Sequence, residues 1–306
     1  MTKTTFLSKR VSITVGIPTL NSEKNIAQLV KSVLNQHNPN YQLKKVIIYS
    51  DGSTDATLKQ INKIKDRRIS IIEGKHTRGF AYGVQTIIDN LDSTILILLN
   101  DDIKLVDNLT LSRLVSAFVD PKVALVGGKI VPLPPKTFIE TAVFSSFKAY
   151  SKLKLLKNEG NNLFTCDGKI MALSKVFAKE LNLTREPVGN VDVFIYFTCI
   201  SKQFVYRYIN VDSVLFRFPQ TVNDLINQIR RSQVSRILID KKFGELATAE
   251  FSLPKIEVMT SFVSEFFRNP RGAITLFFVN RVLSVFTQPV NKNFTTWKLA
   301  KSTKKL

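Results

Sequence analysis

Residues 94–102 read TILILLNDD. Thr94 to Leu99 is an apolar run with no polar face, the pattern of a strand covered on both sides, as in a parallel sheet layered with helices. It runs straight into Asn100, Asp101 and Asp102. Two adjacent carboxylates at the end of a buried strand are costly to desolvate unless a cation pairs with them. A divalent metal carrying a diphosphate is one such partner, because Mg2+ and Mn2+ combine carboxylates with substrate phosphates. The same three residues also read as a helix cap followed by a solvated turn.

Upstream of this stretch the chain alternates. Val11 to Ile17 is a β-branched strand that ends at PTLN (residues 18–21). Asn21 or Ser22 can cap a helix to about Asn35, with Ile26, Leu29, Val30, Val33 and Leu34 at helical spacing. Lys45 to Tyr49 is a second strand, closed by SDGSTD (50–55), and Thr57 to Ile64 a second helix. Ile69 to Glu73 is a third strand, and Arg78 and Gly79 open a helix to about Asn90. Strand and helix in strict alternation predict a doubly wound α/β sheet. Ligands of such sheets bind at the carboxyl ends of the strands. PTLN, SDGSTD and NDD each follow a strand directly, so all three should meet on one edge.

In SDGSTD, Gly52 permits a tight turn, and Ser53 or Thr54 can cap a helix whose first amides face an anion. Asp51 could instead accept hydrogen bonds from a base or ribose, or the segment could be an ordinary strand-to-helix turn. Neither a GxGxxG nor a GxxxxGK[ST] motif occurs, which excludes the dinucleotide fingerprint and the P-loop.

Downstream, Leu111–Phe118 reads as a helix and VALVGGKIVP (123–132) as a strand interrupted by Gly127 and Gly128. Phe138–Lys157 is an amphipathic helix, Cys166–Leu173 a short strand, and Lys175–Leu181 and Asp192–Ser201 helices. Phe204–Phe218 is strand-like, and Val222–Phe243 is a long basic helix.

Taken in order, these clusters resemble the family-2 glycosyltransferases of the GT-A fold, from about Val11 to about Arg231. The resemblance implies a Rossmann-like nucleotide-binding domain with a mostly parallel central sheet. It places Pro18, Thr19, Asn21 and Glu23 of IPTLNSEKNI on the first nucleotide-binding motif. It puts Asp51 against the base, Asp55 as a brace of the turn, and Arg78 and Gly79 on the diphosphate side. NDD falls on the DxD motif, so Asp102 would hold Mn2+ or Mg2+ with Asp101 assisting at the nucleotide-sugar. Gly168 and Lys169 of CDGKIMALS fall on the acceptor side, and Asp192 on the general base. Gln228 and Arg231 of QIRRS match the QxxRW motif. Asn100, Ser50, Gln85, Val191 and Ser232 depart from the pattern, and Ser232 argues against a processive synthase.

The implied reaction is inverting transfer from a nucleotide-diphospho-sugar, with UDP as carrier, to a saccharide or lipid-linked acceptor in cell-surface glycan synthesis. The catalytic domain is expected over 1–250, with a nucleotide-sugar half to about 130 and an acceptor half beyond. A nucleotidyltransferase is the competing enzyme class, but PTLNSEKN lacks its glycine-rich loop. A transferase fold that binds nucleotide without turnover also fits Asn100 and Val191.

The chain has 44 Lys and Arg against 24 Asp and Glu, a formal charge of +20. That charge attracts polyanions. No helix-turn-helix, zinc-finger or RNA-binding signature is present, so no specific nucleic-acid partner is expected. Residues 251–306 form a basic, helical, amphipathic extension. Phe262, Phe266, Phe267, Phe277, Phe278 and Phe286 alternate there with Arg268, Arg271 and Arg281, and Lys292, Lys298, Lys301, Lys304 and Lys305 follow. Such a segment can lie on an anionic membrane surface or pack its phenylalanines on the domain. Two sparse cysteines, Cys166 and Cys199, suit a reducing compartment. MTKTTFLSKR lacks the apolar run of a signal peptide, and Gly272–Phe286 falls short of the roughly 20 residues of a span. A cytoplasmic protein, peripheral at the inner face of the membrane, is the expectation.

Overall fold

The computed structural model describes residues 11–185, 187–286 and 301–304, with side chains except those of 280–286 and 301. The side chains of Arg281, Phe286 and Lys301, residues Lys292, Lys298 and Lys305, and the N-terminal segment 1–10 lie outside that description.

β1 (Val11–Thr19), β2 (Tyr41–Ser50), β3 (Ile69–Glu73) and β4 (Ile95–Leu99) carry the β-branched runs and pair in parallel in the order β3-β2-β1-β4. All five residues of β4 are buried, and they alternate between two cores. Leu96 and Leu98 face Val84 and Ile87 of α3 (Phe80–Asp89). Ile95, Ile97 and Leu99 face Leu29, Val30 and Val33 of α1 (Ile26–Leu34), with Ile61 of α2 (Thr57–Asn62) in the same core. This is why the strand has no polar side.

A short β5 (Ile103–Leu105) and α4 (Thr110–Ser116) lead to β6 (Val123–Pro132). α5 (Phe138–Leu156) starts from a capping box in which Thr137 accepts from the Glu140 amide and Glu140 reaches back to the Thr137 amide. β7 (Ile170–Ser174), α6 (Lys175–Lys179), α7 (Val191–Ser201), β8 (Val205–Phe216), α8 (Val222–Phe243) and α9 (Glu245–Phe251) follow. The sheet continues β4-β7-β6-β8-β5, with β7 antiparallel to β4 and β6, β6 parallel to β8, and β5 antiparallel to β8. A Cβ at Gly127 would stand 2.2 Å from the Tyr206 hydroxyl, so the glycine leaves room for the buried Tyr206 side chain of β8 over β6.

The antiparallel entry of β7 matters most for the site. Ile170 opens β7 opposite Leu99, the last residue of β4. The loop before β7 therefore lies beside the turn after β4, and the Asn100 amide donates to the Lys169 carbonyl at 3.2 Å. One register decision joins the NDD and CDGK segments, which are some seventy residues apart in sequence.

α10 (Lys255–Arg268) and α11 (Pro270–Phe286) pack on α5 and on each other. Phe262 turns inward onto Tyr150, with ring centroids 5.2 Å apart. Ile256, Met259, Val263 and Phe267 form a stripe at helical spacing that faces out, as do Ile274, Phe277 and Phe278. Phe262 thus packs on the domain, as one of the two sequence-based alternatives has it, while Phe266, Phe267, Phe277 and Phe278 are exposed. Among the described residues no helix is long and apolar enough to cross a membrane. Cys166 and Cys199 are buried free thiols.

Candidate active site

At the point where the chain switches from one side of β1 to the other, the ends of β1, β2 and β4 converge. Asn21 adopts a left-handed backbone (φ 53°), which turns its side chain onto the second motif. Its carbonyl oxygen accepts the Thr54 amide at 2.8 Å. Glu23 accepts the Ala56 amide at 2.9 Å, and Asp55 in return accepts the Glu23 amide at 3.1 Å. Burial opposes the Asp55 charge, but hydrogen bonds from Thr57 and from the Glu23 amide outweigh it and keep the carboxyl below its usual range. Asn21, Glu23 and Asp55 therefore tie PTLN to SDGSTD.

Asp51 is buried, and its two oxygens accept the amides of Arg78 at 2.7 Å and Gly79 at 2.9 Å. Gly52 (φ +73°) lets that turn close, since a Cβ would meet the His76 carbonyl carbon at 2.9 Å. The Arg78 guanidinium lies over the Tyr82 ring, 3.6 Å from its centroid. In this structure Asp51 shapes the Arg78–Gly79 segment by direct hydrogen bonds, a role the sequence did not suggest.

Asp101 is buried and ties β4 to β1: one oxygen accepts the Thr19 hydroxyl at 2.7 Å and the Leu20 amide at 3.2 Å. Asp102, its neighbour, is pushed above the usual carboxylate range by burial and then by the Asp101 charge. Asp102 Oδ1 and Asn100 Oδ1 are buried acceptors with no hydrogen-bond partner among the described residues. Two unsatisfied oxygens two residues apart on one turn, with the Asp101 carboxylate between them, fit a divalent cation. Among the described residues no three His, Cys, Asp or Glu side chains cluster for a metal. The protein would then supply two oxygens, leaving the remaining positions to phosphate and water, the usual arrangement for Mg2+.

On the loop before β7, the Gly168 amide donates to the Asp192 carboxylate near the start of α7 at 3.1 Å. Burial raises the Asp192 carboxyl above its usual range and the Asp167 charge adds to this, while Arg231 acts in the opposite direction. Lys169 lies 3.3 Å from Asp167. Burial disfavours its charge, but Asp167 and then Asp102 overcome this and keep the ammonium protonated. Asp167 stays ionised against burial through that same ammonium, and Lys154 of α5 adds to it. Lys169 is thus a cation shared by Asp102, Asp167 and Asp192.

Pro18, Thr19, Asn21, Glu23, Asp51, Arg78, Gly79 and Asp101 all belong to one connected edge, and Asp102, Gly168, Lys169 and Asp192 border it. Arg231 is exposed on α8 within electrostatic reach of Asp192, and Gln228 is exposed one turn earlier. Sequence reasoning did not single out Asp167 or Lys154. Asp167 sits visibly in CDGK, whereas Lys154 looks like one lysine among several on an amphipathic helix. It also missed Thr303 and Lys304. The Lys304 ammonium contacts Asp101 at 2.7 Å, and the Thr303 side chain hydrogen-bonds Asp102.

Residues 14–181 match the family described as Glycosyl transferase family 2. Over 70 residues the chain is 36% identical to an uncharacterized glycosyltransferase of Haemophilus influenzae, a match covering 22% of this chain and 21% of that protein. The chain therefore matches about a fifth of that relative's length. The fold is similar to that of the mannosyltransferase PcManGT from Pyrobaculum calidifontis, solved with GDP-Man and Mn2+. The TM-score is 0.60 at 17% identity, over 92% of this chain and 77% of that one. It is also similar to glucosyl-3-phosphoglycerate synthase from Mycobacterium tuberculosis, solved with Mn2+, UDP and phosphoglyceric acid. There the TM-score is 0.55 at 15% identity, over 75% and 78% of the two chains.

Proposed function

The chain belongs to glycosyl transferase family 2; from that premise we propose that it transfers a sugar from a nucleotide-diphosphate donor, UDP-linked, to an acceptor hydroxyl with inversion. The observation that carries this reading is the pairing of two unlike carboxylate sites on one loop. The Asn100–Asp102 turn is hydrogen-bonded to Lys169, and Asp192 to the adjacent Gly168. Donor and acceptor would meet across Gly168 and Lys169.

The Arg78 guanidinium, on a segment whose Arg78 and Gly79 amides are held by Asp51, would meet the diphosphate, and the first motif and Asp101 shape the nucleoside pocket. Asn100 and Asp102 would hold Mn2+ or Mg2+. When bound, that ion neutralises charge on the departing nucleoside diphosphate. Asp192 accepts the proton of the acceptor hydroxyl as general base, for which a raised carboxyl pKa is an advantage. Lys169 moderates repulsion among Asp102, Asp167 and Asp192. Arg231 offers a further cation beside Asp192.

The acceptor class is a saccharide or lipid-linked glycan presented at the inner face of a membrane. The outward stripe of α10 and α11 supports this, as does the chain's charge of +20. Full-length protein should float with phosphatidylglycerol vesicles. Phe267→Ser with Phe277→Ser should reduce the bound fraction several-fold, and equal flotation would remove the membrane part of the reading. Activity is tested by nucleoside diphosphate release from UDP-, GDP- and dTDP-sugars with simple glycosides and polyprenyl-phosphate acceptors. Release from one donor class that depends on acceptor supports the transferase, and none from any pair counts against it.

A further inference from the structure

Residues 302–304 return to the NDD turn and contact elements far apart in the chain. Ser302 is anchored at the start of α8: its amide donates to Asp224 at 3.1 Å, its hydroxyl also donates to Asp224, and it accepts the Gln220 amide at 3.1 Å. The Thr303 side chain hydrogen-bonds Asp102. The Lys304 ammonium donates to Asp101 at 2.7 Å and to the Leu20 carbonyl, and its own carbonyl accepts from Asn25 at 2.8 Å. Lys304 and Asp101 keep side-chain exposures of only 12% and 10%. A hydroxyl and a cation are thereby seated on the two neighbouring carboxylates of the NDD turn.

We propose that residues 302–304 are an autoinhibitory strap, which competes with the metal–diphosphate group for Asp101 and Asp102 and must lift before the donor can bind. This inference rests on the assignment of Asn100 and Asp102 to the metal. The physical reason is charge, since Asp102 Oδ1 and Asn100 Oδ1 stay unpartnered among the described residues with the strap in place. Thr303 holds the strap on Asp102, and the Lys304 ammonium on Asp101 supplies the positive charge that a divalent ion would otherwise bring. An ammonium on Asp101 and a divalent ion on the neighbouring Asp102 repel each other, so the closed strap weakens binding of the ion. Asp224 and Gln220 lie outside the carboxylate pair and only anchor the strap.

The strap raises the apparent dissociation constant of the donor by the inverse of its open fraction. If it is closed about nine-tenths of the time, binding is weakened about tenfold. The test compares the full chain, a chain ending at residue 300, and Asp224→Ala, which unties Ser302 but leaves Asp101 and Asp102 intact. Mn2+ binding is read by electron paramagnetic resonance, and binding of UDP with Mn2+ by calorimetry. Both changed proteins should bind Mn2+ and Mn2+–UDP several-fold to tenfold more tightly than the full chain. In the full chain, Mn2+–UDP should also speed hydrogen exchange at the Gln220 amide. Unchanged or weaker Mn2+ binding in both changed proteins overturns the strap; if Mn2+–UDP still binds, the donor reading survives. Tighter Mn2+ binding with no nucleotide bound by any form supports the strap and removes the donor reading.

Discussion

Asp192→Asn separates chemistry from folding at one atom. Asparagine keeps a carbonyl oxygen in place of the oxygen that accepts the Gly168 amide at 3.1 Å, so the loop before β7 should keep its shape and donor binding should be unchanged. What is lost is the ability to take a proton. A positioned general base contributes about 10²–10⁴-fold, so kcat should fall by that factor, about 3–5 kcal/mol of barrier. Stability should move the other way. Asp192 has its carboxyl raised by burial and then by Asp167. The folded state thus binds the proton more tightly than the unfolded chain, and wild-type stability falls as pH rises from about the ordinary value of 3.8 through the raised one. The asparagine protein should melt higher than wild type at pH 7–8, with the difference disappearing below the ordinary carboxylate value. Turnover is followed by nucleoside diphosphate release with an active acceptor, and melting by calorimetry from pH 3 to 8. A kcat within tenfold of wild type, or a lower melting temperature at neutral pH, would refute the assignment.

Two other substitutions probe the framework. Glu140 and Arg217 form a 2.8 Å ion pair that is almost wholly buried, and Glu140 also accepts the Lys136 and Thr137 amides. Glu140→Ala leaves a buried guanidinium and should cost about 3–5 kcal/mol plus about 1 kcal/mol for the lost cap, read by urea unfolding. Burial opposes the Glu140 charge, but the Arg217 hydrogen bond and the Lys136 amide outweigh it and lower its pKa. This penalty should therefore be full above pH 4.5 and shrink as pH falls through the lowered value. Lys169→Met removes the partner of Asp167 and should destabilise by about 2 kcal/mol at neutral pH. That loss should diminish as Asp167 protonates below pH 3.8. Unfolding curves that are unchanged by the substitution would show that the ammonium is not the cation that keeps these carboxylates together.

How far the sequence reached depends on how local each signal was. TILILL was readable because a strand covered on both faces must be apolar throughout, and α3 and α1 supply those covers. The convergence of PTLN, SDGSTD and NDD followed from the parallel topology alone. The direction of β7 was not readable, since an apolar pentapeptide carries no mark of which way it pairs; yet its antiparallel entry is what brings Lys169 to Asn100. β5 is three residues long, too short to show a period. The first helix starts at Ile26 with Asn25 as its cap, and not behind the expected cap at Asn21 or Ser22. The Asn21 side chain is engaged by Thr54, and the Ser22 carbonyl accepts the Asn25 and Ile26 amides in an intervening turn. Lys304 reads as a solvated tail lysine until the chain's return to Asp101 is seen. Contacts made by tertiary return leave no periodicity behind.

The central claim is that the NDD turn binds a nucleotide diphosphate through a divalent ion. Its most direct test is calorimetric titration of the full chain with UDP, GDP and dTDP, with and without Mn2+, beside an Asp102→Ala protein of verified fold. The account predicts that one nucleotide binds with micromolar affinity only when Mn2+ is present, and that this binding is lost in the variant. Binding that ignores both Mn2+ and Asp102, or no binding of any nucleotide, would contradict it.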